Sequence, residues 1–280
     1  MDKDIKILHT TINIGIENPF KLLHVTDSHI AIDDEGNDCG RYKVFDKNFE
    51  NCSQEYFIQA VDYCKNNGIV MLHTGDFFDF LSEANFAFAD KYLNEIDYIY
   101  AAGNHDFCHC VGQATEDYQY KWDQIKRSAP HIKSNLYFDS RIINGVNIVT
   151  LDNSYYLMSD GQIEALRAEA AKGYPILLAM HNPIFNEAQA VDMMQKGVKV
   201  LYTVGAPEEI LSTYPPDRRA QQTPDESTLR AIKYIKEEPL IKALVVGHLH
   251  RNFEEVLENG VQQITTDGSY TGFVRELTIV

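Results

Sequence analysis

Six short apolar runs constrain this chain most, because each stops abruptly in a knot of glycine, aspartate, asparagine or histidine. Residues 22–26 break into Asp27-Ser28-His29, and residues 69–72 into His73-Thr74-Gly75-Asp76-Phe77-Phe78-Asp79. Residues 96–102 give way to Gly103-Asn104-His105-Asp106, 146–151 to Asp152-Asn153, 175–180 to His181-Asn182, and 243–246 to Gly247-His248-Leu249-His250. Runs this short and apolar read as buried strands, and a following glycine marks a tight loop. Between them lie stretches with helical spacing: 54–66, capped by Ser53 and stopped by Gly68, then 83–95, a run from a capping Asp160 to Gly173, and 226–237. Strands alternating with helices predict an α/β fold with parallel pairing favoured. Polar groups crowded at the carboxyl ends of strands stand where open α/β sheets bind ligands.

The remaining segments are less regular. Residues 5–14 roughly alternate apolar and polar side chains and predict an edge strand or hairpin, while 261–266 and 273–279 close the chain as strands. Residues 33–52 are polar and are expected to form a long loop carrying Arg41, Tyr42 and Lys43. Residues 113–135, around the single tryptophan Trp122, are expected to be helical in part. Residues 186–226, with Gly205-Ala206-Pro207, Pro215-Pro216 and Pro224, are the least regular, and so long a connection is often a binding loop or lid. No repeat or linker interrupts the chain, so 1–280 is expected to form a single domain with an insertion at 186–226.

Composition removes several classes of function. No stretch approaches the roughly 18 apolar residues of a membrane span, and residues 1–5 lack signal-peptide features, so a cytoplasmic location is expected. Five cysteines without a disulfide pattern predict reduced thiols. Cys108-His109-Cys110 invites a zinc reading, but adjacent residues rarely converge on one ion and no Cys-x-x-Cys pair occurs, so it reads as loop. The net charge of −16 opposes casual binding to nucleic acid or anionic membrane, although a metal cluster could reverse that sign locally.

Chemistry enters at the strand ends. Asp27 and His29 stand two apart, and in a strand such residues share a face, so a carboxylate and an imidazole can converge. That donor pair suits a borderline divalent ion such as Mn, Fe or Zn. His248 and His250 repeat the spacing and form the strongest single metal signal. After Gly103, Asn104 offers a neutral oxygen, His105 a titratable nitrogen and Asp106 an orienting carboxylate. Each cluster alone has an ordinary reading as turn, cap or packed histidine, His181 included. Five of them at equivalent strand ends do not.

Asp27-Ser28-His29, Gly75-Asp76-Phe77-Phe78-Asp79, Gly103-Asn104-His105-Asp106, His181 and Gly247-His248-Leu249-His250 together resemble the calcineurin-like metallophosphoesterase superfamily, over residues 22–250. The resemblance implies a four-layer α/β/β/α sandwich of mixed sheets with a dinuclear site at the strand ends. By motif, Asp27, His29 and His250 would hold one ion, Asn104, His181 and His248 the other, and Asp76 would bridge both. Seven nitrogen and oxygen donors are too many for one tetrahedral ion and suit two ions of higher coordination. Two ions about 4 Å apart can clamp the phosphoryl oxygens and a bridging hydroxide nucleophile. Two divalent ions bring +4 and Asp27 with Asp76 bring −2, leaving a local +2 that attracts a phosphate ester. The matching His105 would act as leaving-group acid or charge stabiliser, oriented by Asp106. Asp79 is expected to brace its motif without binding metal, and His9, His24, His73 and His131 are read as structural.

The expected activity is therefore hydrolysis of a small phosphate ester, a phosphodiester above all, with two divalent ions of Mn, Fe or Zn as cofactors. Selectivity must come from loops around the strand ends, where Arg41, Tyr155, Tyr156 and Arg218 are the candidate substrate residues, with Tyr202, Tyr214 and Arg219 nearby in sequence. Tyrosines suit a nucleoside or aryl group and arginine a phosphate or carboxylate, though these rings could equally just pack the insertion. An exonuclease-type enzyme is the second reading, weakened by the missing basic footprint. A non-catalytic scaffold is the third, and it should have eroded ligands where all seven stand with His105. Neither a nucleic acid nor a membrane partner is expected, and the sequence names no protein partner.

Overall fold

The computed structural model describes residues 4–34, 40–109 and 117–280. Cys39 and Cys110 lie outside the described residues, and with Cys110 the Cys108-His109-Cys110 run as a unit; parts of the 33–52 and 113–135 segments do too. In chain order the first half holds β1 (Lys6–Ile12), β2 (Phe20–Val25), α1 (Arg41–Phe49), α2 (Ser53–Asn67), β3 (Val70–His73), α3 (Glu83–Tyr92) and β4 (Tyr98–Tyr100). Then come α4 (Tyr118–Ser128), the hairpin β5 (Phe138–Ile143) and β6 (Val146–Leu151), α5 (Asp160–Ala170) and β7 (Ile176–Ala179). The rest is α6 (Glu187–Gln195), α7 (Glu208–Leu211), α8 (Pro216–Gln222), α9 (Glu226–Glu237), β8 (Ile241–Val246), β9 (Phe253–Val256), β10 (Gln262–Thr265) and β11 (Phe273–Ile279).

Two mixed sheets result, ordered β1-β11-β2-β3-β4 and β5-β6-β7-β8-β10-β9. The pairs β2/β3, β3/β4, β6/β7 and β7/β8 are parallel, as helix-separated strands should be, while β11 runs antiparallel to β2. Leu22, Leu72, Ile99 and Leu277 of the first sheet pack against Ile148, Leu177, Val245 and Ile264 of the second. The next residues along β2 point the other way: Leu23 and Val25 pack with Phe57 and Val61 of α2 and Phe86 of α3. On the second sheet, Ile163 and Leu166 of α5 and Ala231 and Ile235 of α9 cover the outer face. Sheets covered on both faces need continuously apolar strands, which is why these segments do not alternate. Each such leucine or isoleucine contributes about 1.5–3 kcal/mol by leaving water, and together they fix a four-layer α/β/β/α stack.

Several expectations need adjusting. Arg41–Phe49 is the helix α1 and not loop, because Phe45 anchors it against Ala31 and Phe80. The α2 cap position is Cys52, with Ser53 already inside the helix. Ser159, not Asp160, caps α5, through a reciprocal pair with Gln162. The 186–226 segment contains α6, α7 and α8 around a small core of Ala190, Met193, Leu201, Leu211 and Tyr214. The edge strand β9 was not anticipated, since acidic Glu254 and Glu255 break its pattern. No helix among the described residues is long and apolar enough to cross a membrane.

Candidate metal centre

The site is built on loops at the carboxyl ends of β2, β3, β4, β7 and β8. Asp27 (φ 49°), His29 (φ 44°), Asp76 (φ 53°), His248 (φ 67°) and His250 (φ 47°) all have left-handed backbones. The expectation that each pair converges through strand spacing is thereby corrected. The regular strands have ended, although the Asp27 and His29 N–H groups still donate to the Gly75 and Asp76 carbonyls. The side chains converge with the backbone left-handed at Asp27 and His29 and again at His248 and His250. Aspartate and histidine tolerate that region better than most residues. Two glycines permit the close approach of neighbouring loops. A Cβ on Gly103 would collide with the Asp76 carboxylate, and one on Gly247 with the Thr26 hydroxyl.

Two groups of ligating atoms meet here: Asp27, His29 and His250 form one, and Asp76, His181 and His248 the other. His250 Nε2 is 3.1 Å from Asp27 Oδ1 and 3.2 Å from His29 Nε2. His181 Nε2 is 3.2 Å from Asp76 Oδ2 and 3.0 Å from His248 Nδ1. Asp76 Oδ2 is also 3.9 Å from His29 Nε2, so one carboxylate oxygen faces both groups. His105 can join His29 and Asp76 in a third grouping.

These residues fit divalent ions. Two imidazole nitrogens 3.0–3.2 Å apart can share one proton or together face a cation. Asn104 Oδ1 is buried without a hydrogen-bond partner among the described residues, a cost of about 1–3 kcal/mol unless a cation receives it. Four imidazoles, two carboxylates and an amide oxygen form a borderline donor set. The outer nitrogens are tethered as metal-binding histidines require: His181 Nδ1 lies 2.7 Å from Thr74 O, His248 Nε2 2.8 Å from the Tyr156 hydroxyl, and His250 Nδ1 3.0 Å from the Tyr270 hydroxyl. Nothing local in the sequence marks Tyr270, which follows β10 in an ordinary turn.

The two remaining aspartates exchange their expected roles in part. Asp79 Oδ1 is 3.0 Å from His29 Nδ1, while His105 Nδ1 lies 3.0 Å from the Asp79 carbonyl and 3.4 Å from its carboxylate. Asp79 therefore braces its own motif and also orients His105, leaving His105 Nε2 for the cavity. Asp106 does not orient His105. It accepts from the backbone N–H groups of Asp76 (3.0 Å), Phe77 (3.0 Å) and Gly103 (2.8 Å) and from the Tyr100 hydroxyl (2.6 Å), tying two ligand loops together. Arg41, expected at the substrate, is instead forked onto Asp79 through Nε (2.7 Å) and Nη2 (2.8 Å). His24 and His73 are held by hydroxyls in the core, as a structural role requires.

Charge follows the geometry. Burial disfavours ionised Asp27 and Asp76, yet His250 and His181 hold the first, and His181 and His105 the second, well below the usual carboxylate range. Burial pulls His181 down, but Asp76 and Asp27 override it and lift the ring to about 10. His105 is likewise lifted to about 9, by the Asp76 charge and the Asp79 contacts against burial. Burial and then the charge on His181 push His248 to about 3. Protons occupy positions that cations would take, so metal binding should release them.

Beside the cluster opens a cavity of about 790 Å³, lined by His29, Asp76, Asn104, His248 and His250 of the candidate ligands and by side chains of the 186–226 segment. Tyr155 lines it, with its ring centroid 4.8 Å from the buried Lys121 ammonium. Tyr156 lines it too, its hydroxyl committed to His248. Arg218 enters from α8, its guanidinium 5.7 Å from the Tyr202 ring. Arg41 is not in this lining.

The model of the family described as calcineurin-like phosphoesterase matches residues 20–252. No curated protein sequence matches significantly. Among solved structures, the chain is similar to a dimetal phosphatase from Danio rerio at 12% identity, covering 90% of this chain and 88% of that one with a TM-score of 0.52. Looser likenesses are to a putative 5′-nucleotidase from Staphylococcus aureus (11% identity, 90% of this chain, 49% of that one, TM-score 0.47) and a phosphopantetheinyl hydrolase from Mycobacterium tuberculosis (13%, 89%, 89%, 0.44). At such identities the first likeness shows a shared fold, and the other two carry no argument.

Proposed function

The chain belongs to the calcineurin-like phosphoesterase family, whose members are metal-dependent phosphoester hydrolases, and on that premise we propose that it cleaves small phosphodiesters with two divalent ions. The observation that carries this reading is Asp76 Oδ2, which faces His181 at 3.2 Å and His29 at 3.9 Å and so suits a shared ligand. Asp27, His29 and His250 would hold one ion, Asn104, His181 and His248 the other. Bound there, divalent ions would polarise phosphoryl oxygens and make water nucleophilic near neutral pH.

The chain supplies the proton. His105 Nε2 faces the cavity while Asp79 holds Nδ1, so the ring can protonate a departing oxygen. Cations on Asp76 would cancel part of the charge that lifts His105, returning its pKa toward the range where a general acid works best. A cavity of about 790 Å³ is far roomier than a bare phosphate needs and falls within the usual ligand-pocket range of roughly 300–1,000 Å³. Tyr202 and Arg218 suit a nucleotide-like substituent. The net charge of −16 disfavours long nucleic acids.

Side-by-side rates with Mn test this, using bis-nitrophenyl phosphate, nitrophenyl phosphate, cyclic nucleotides and single-stranded DNA. Diesters should turn over fastest, and metal analysis should find two ions per chain, lost together in Asp76→Ala. Faster turnover of the monoester overturns the diester assignment, and efficient DNA degradation favours the exonuclease reading.

A further inference from the structure

The cavity contains more cationic hydrogen-bonding capacity than one phosphate at the metal ligands can use. Arg251 directly follows the His248–His250 pair and lines the cavity. Its Nε is buried and has no hydrogen-bond partner among the described residues. Its ion pair is Nη1 to Asp192 Oδ2 at 3.4 Å, and that same oxygen lies closer, at 2.8 Å, to Lys196 Nζ. Asp192 is thus largely satisfied without Arg251. Arg218, on the same cavity, donates to the neutral Gln221 at 3.0 Å and sits 3.6 Å from Asp217. A guanidinium carries five donors, so both arginines keep donors that no protein group takes among the described residues. Leaving a buried charged donor unpaired is costly, and oxyanions such as phosphate and carboxylate satisfy it in forked geometry. The same cavity is lined by the apolar side chains of Met193, Val198, Val200 and Leu249.

We propose that the substrate carries a second anionic group, a phosphate or carboxylate, which Arg251 and Arg218 bind while an apolar stretch of the molecule lies along those apolar side chains. The substrate class is then an organophosphate ester with two separated anionic centres. This rests on the hydrolase reading above and deepens it.

The test uses the Mn-loaded full chain turning over bis-nitrophenyl phosphate, inhibited by butyl phosphate or by the bisphosphates of propane-, butane- and hexanediol. At least one bisphosphate should inhibit at least about tenfold more tightly than butyl phosphate, the scale of one charge-assisted hydrogen bond. In R218Q/R251Q that ratio should fall to within about twofold, whatever the variant's own rate. Calorimetric binding of the same ligands to the wild-type chain reads the ratio without any variant. Equal inhibition by mono- and bisphosphates overturns the proposal, as does a preference that survives in R218Q/R251Q. Absence of Mn-dependent turnover would instead sink the hydrolase reading, which keeps the two failures distinct.

Discussion

Asp79 shows how much one carboxylate decides. It is fully buried, takes the Arg41 fork, and serves His29 and His105 at once. His105→Ala should keep both ions, by metal analysis, yet lose about 10²–10⁴ in rate if the ring is the leaving-group acid. The loss should shrink for nitrophenol esters, whose leaving group needs no proton; an equal loss for all leaving groups would point to charge stabilisation. Asp79→Asn removes a contact that lifts the His105 pKa, so the alkaline limb of the rate profile should move to lower pH. A limb that stays in place would mean that Asp79 does not tune the acid. Sequence could identify His105 but not its partner. Asp106 is its neighbour in the chain, whereas Asp79 reaches it only through the fold.

At the scale of elements, the six strands that carry the polar clusters were readable because each is a short apolar run closed by glycine, aspartate or histidine. Convergence of the ligands was anticipated for the wrong reason, since spacing does not reveal which loop residues turn left-handed. Helix α1 was missed because its burial rests on Phe45 alone, and the short helices of 186–226 are obscured by four prolines, Pro207, Pro215, Pro216 and Pro224. The loop geometry itself can be tested. Gly103→Ala would drive a methyl into the Asp76 carboxylate, and overpacking of that kind costs about 1–3 kcal/mol. The variant should melt lower and bind Mn more weakly in a metal titration. Unchanged Mn affinity would show that the two loops can separate without loss.

Over the whole molecule, the buried titratable groups make stability depend on pH in both directions. Groups raised in the fold, His181 to about 10 and His105 to about 9, stabilise it fully below their unfolded value near 6.5, and this is lost as pH rises toward 9–10. Groups lowered in the fold, His248 and His73 to about 3, stabilise it above 6.5, and this is lost as pH falls. Metal-free protein should therefore melt highest near pH 6–7. Mn should flatten the alkaline side, where imidazoles become free to ligate; a melting temperature of the stripped protein that rises steadily to pH 9 would contradict these shifts. A different consequence follows from β11, which lies between β1 and β2 in the first sheet. During synthesis, β2 cannot gain its antiparallel neighbour until residues 273–279 have left the ribosome. At about 5–20 residues per second, Asp27 and His29 emerge many seconds before the strand that seats their own. Metal loading would then wait for β11 to emerge, and a nascent chain cut short before β11 would carry ligands on a strand that lacks one of its two neighbours.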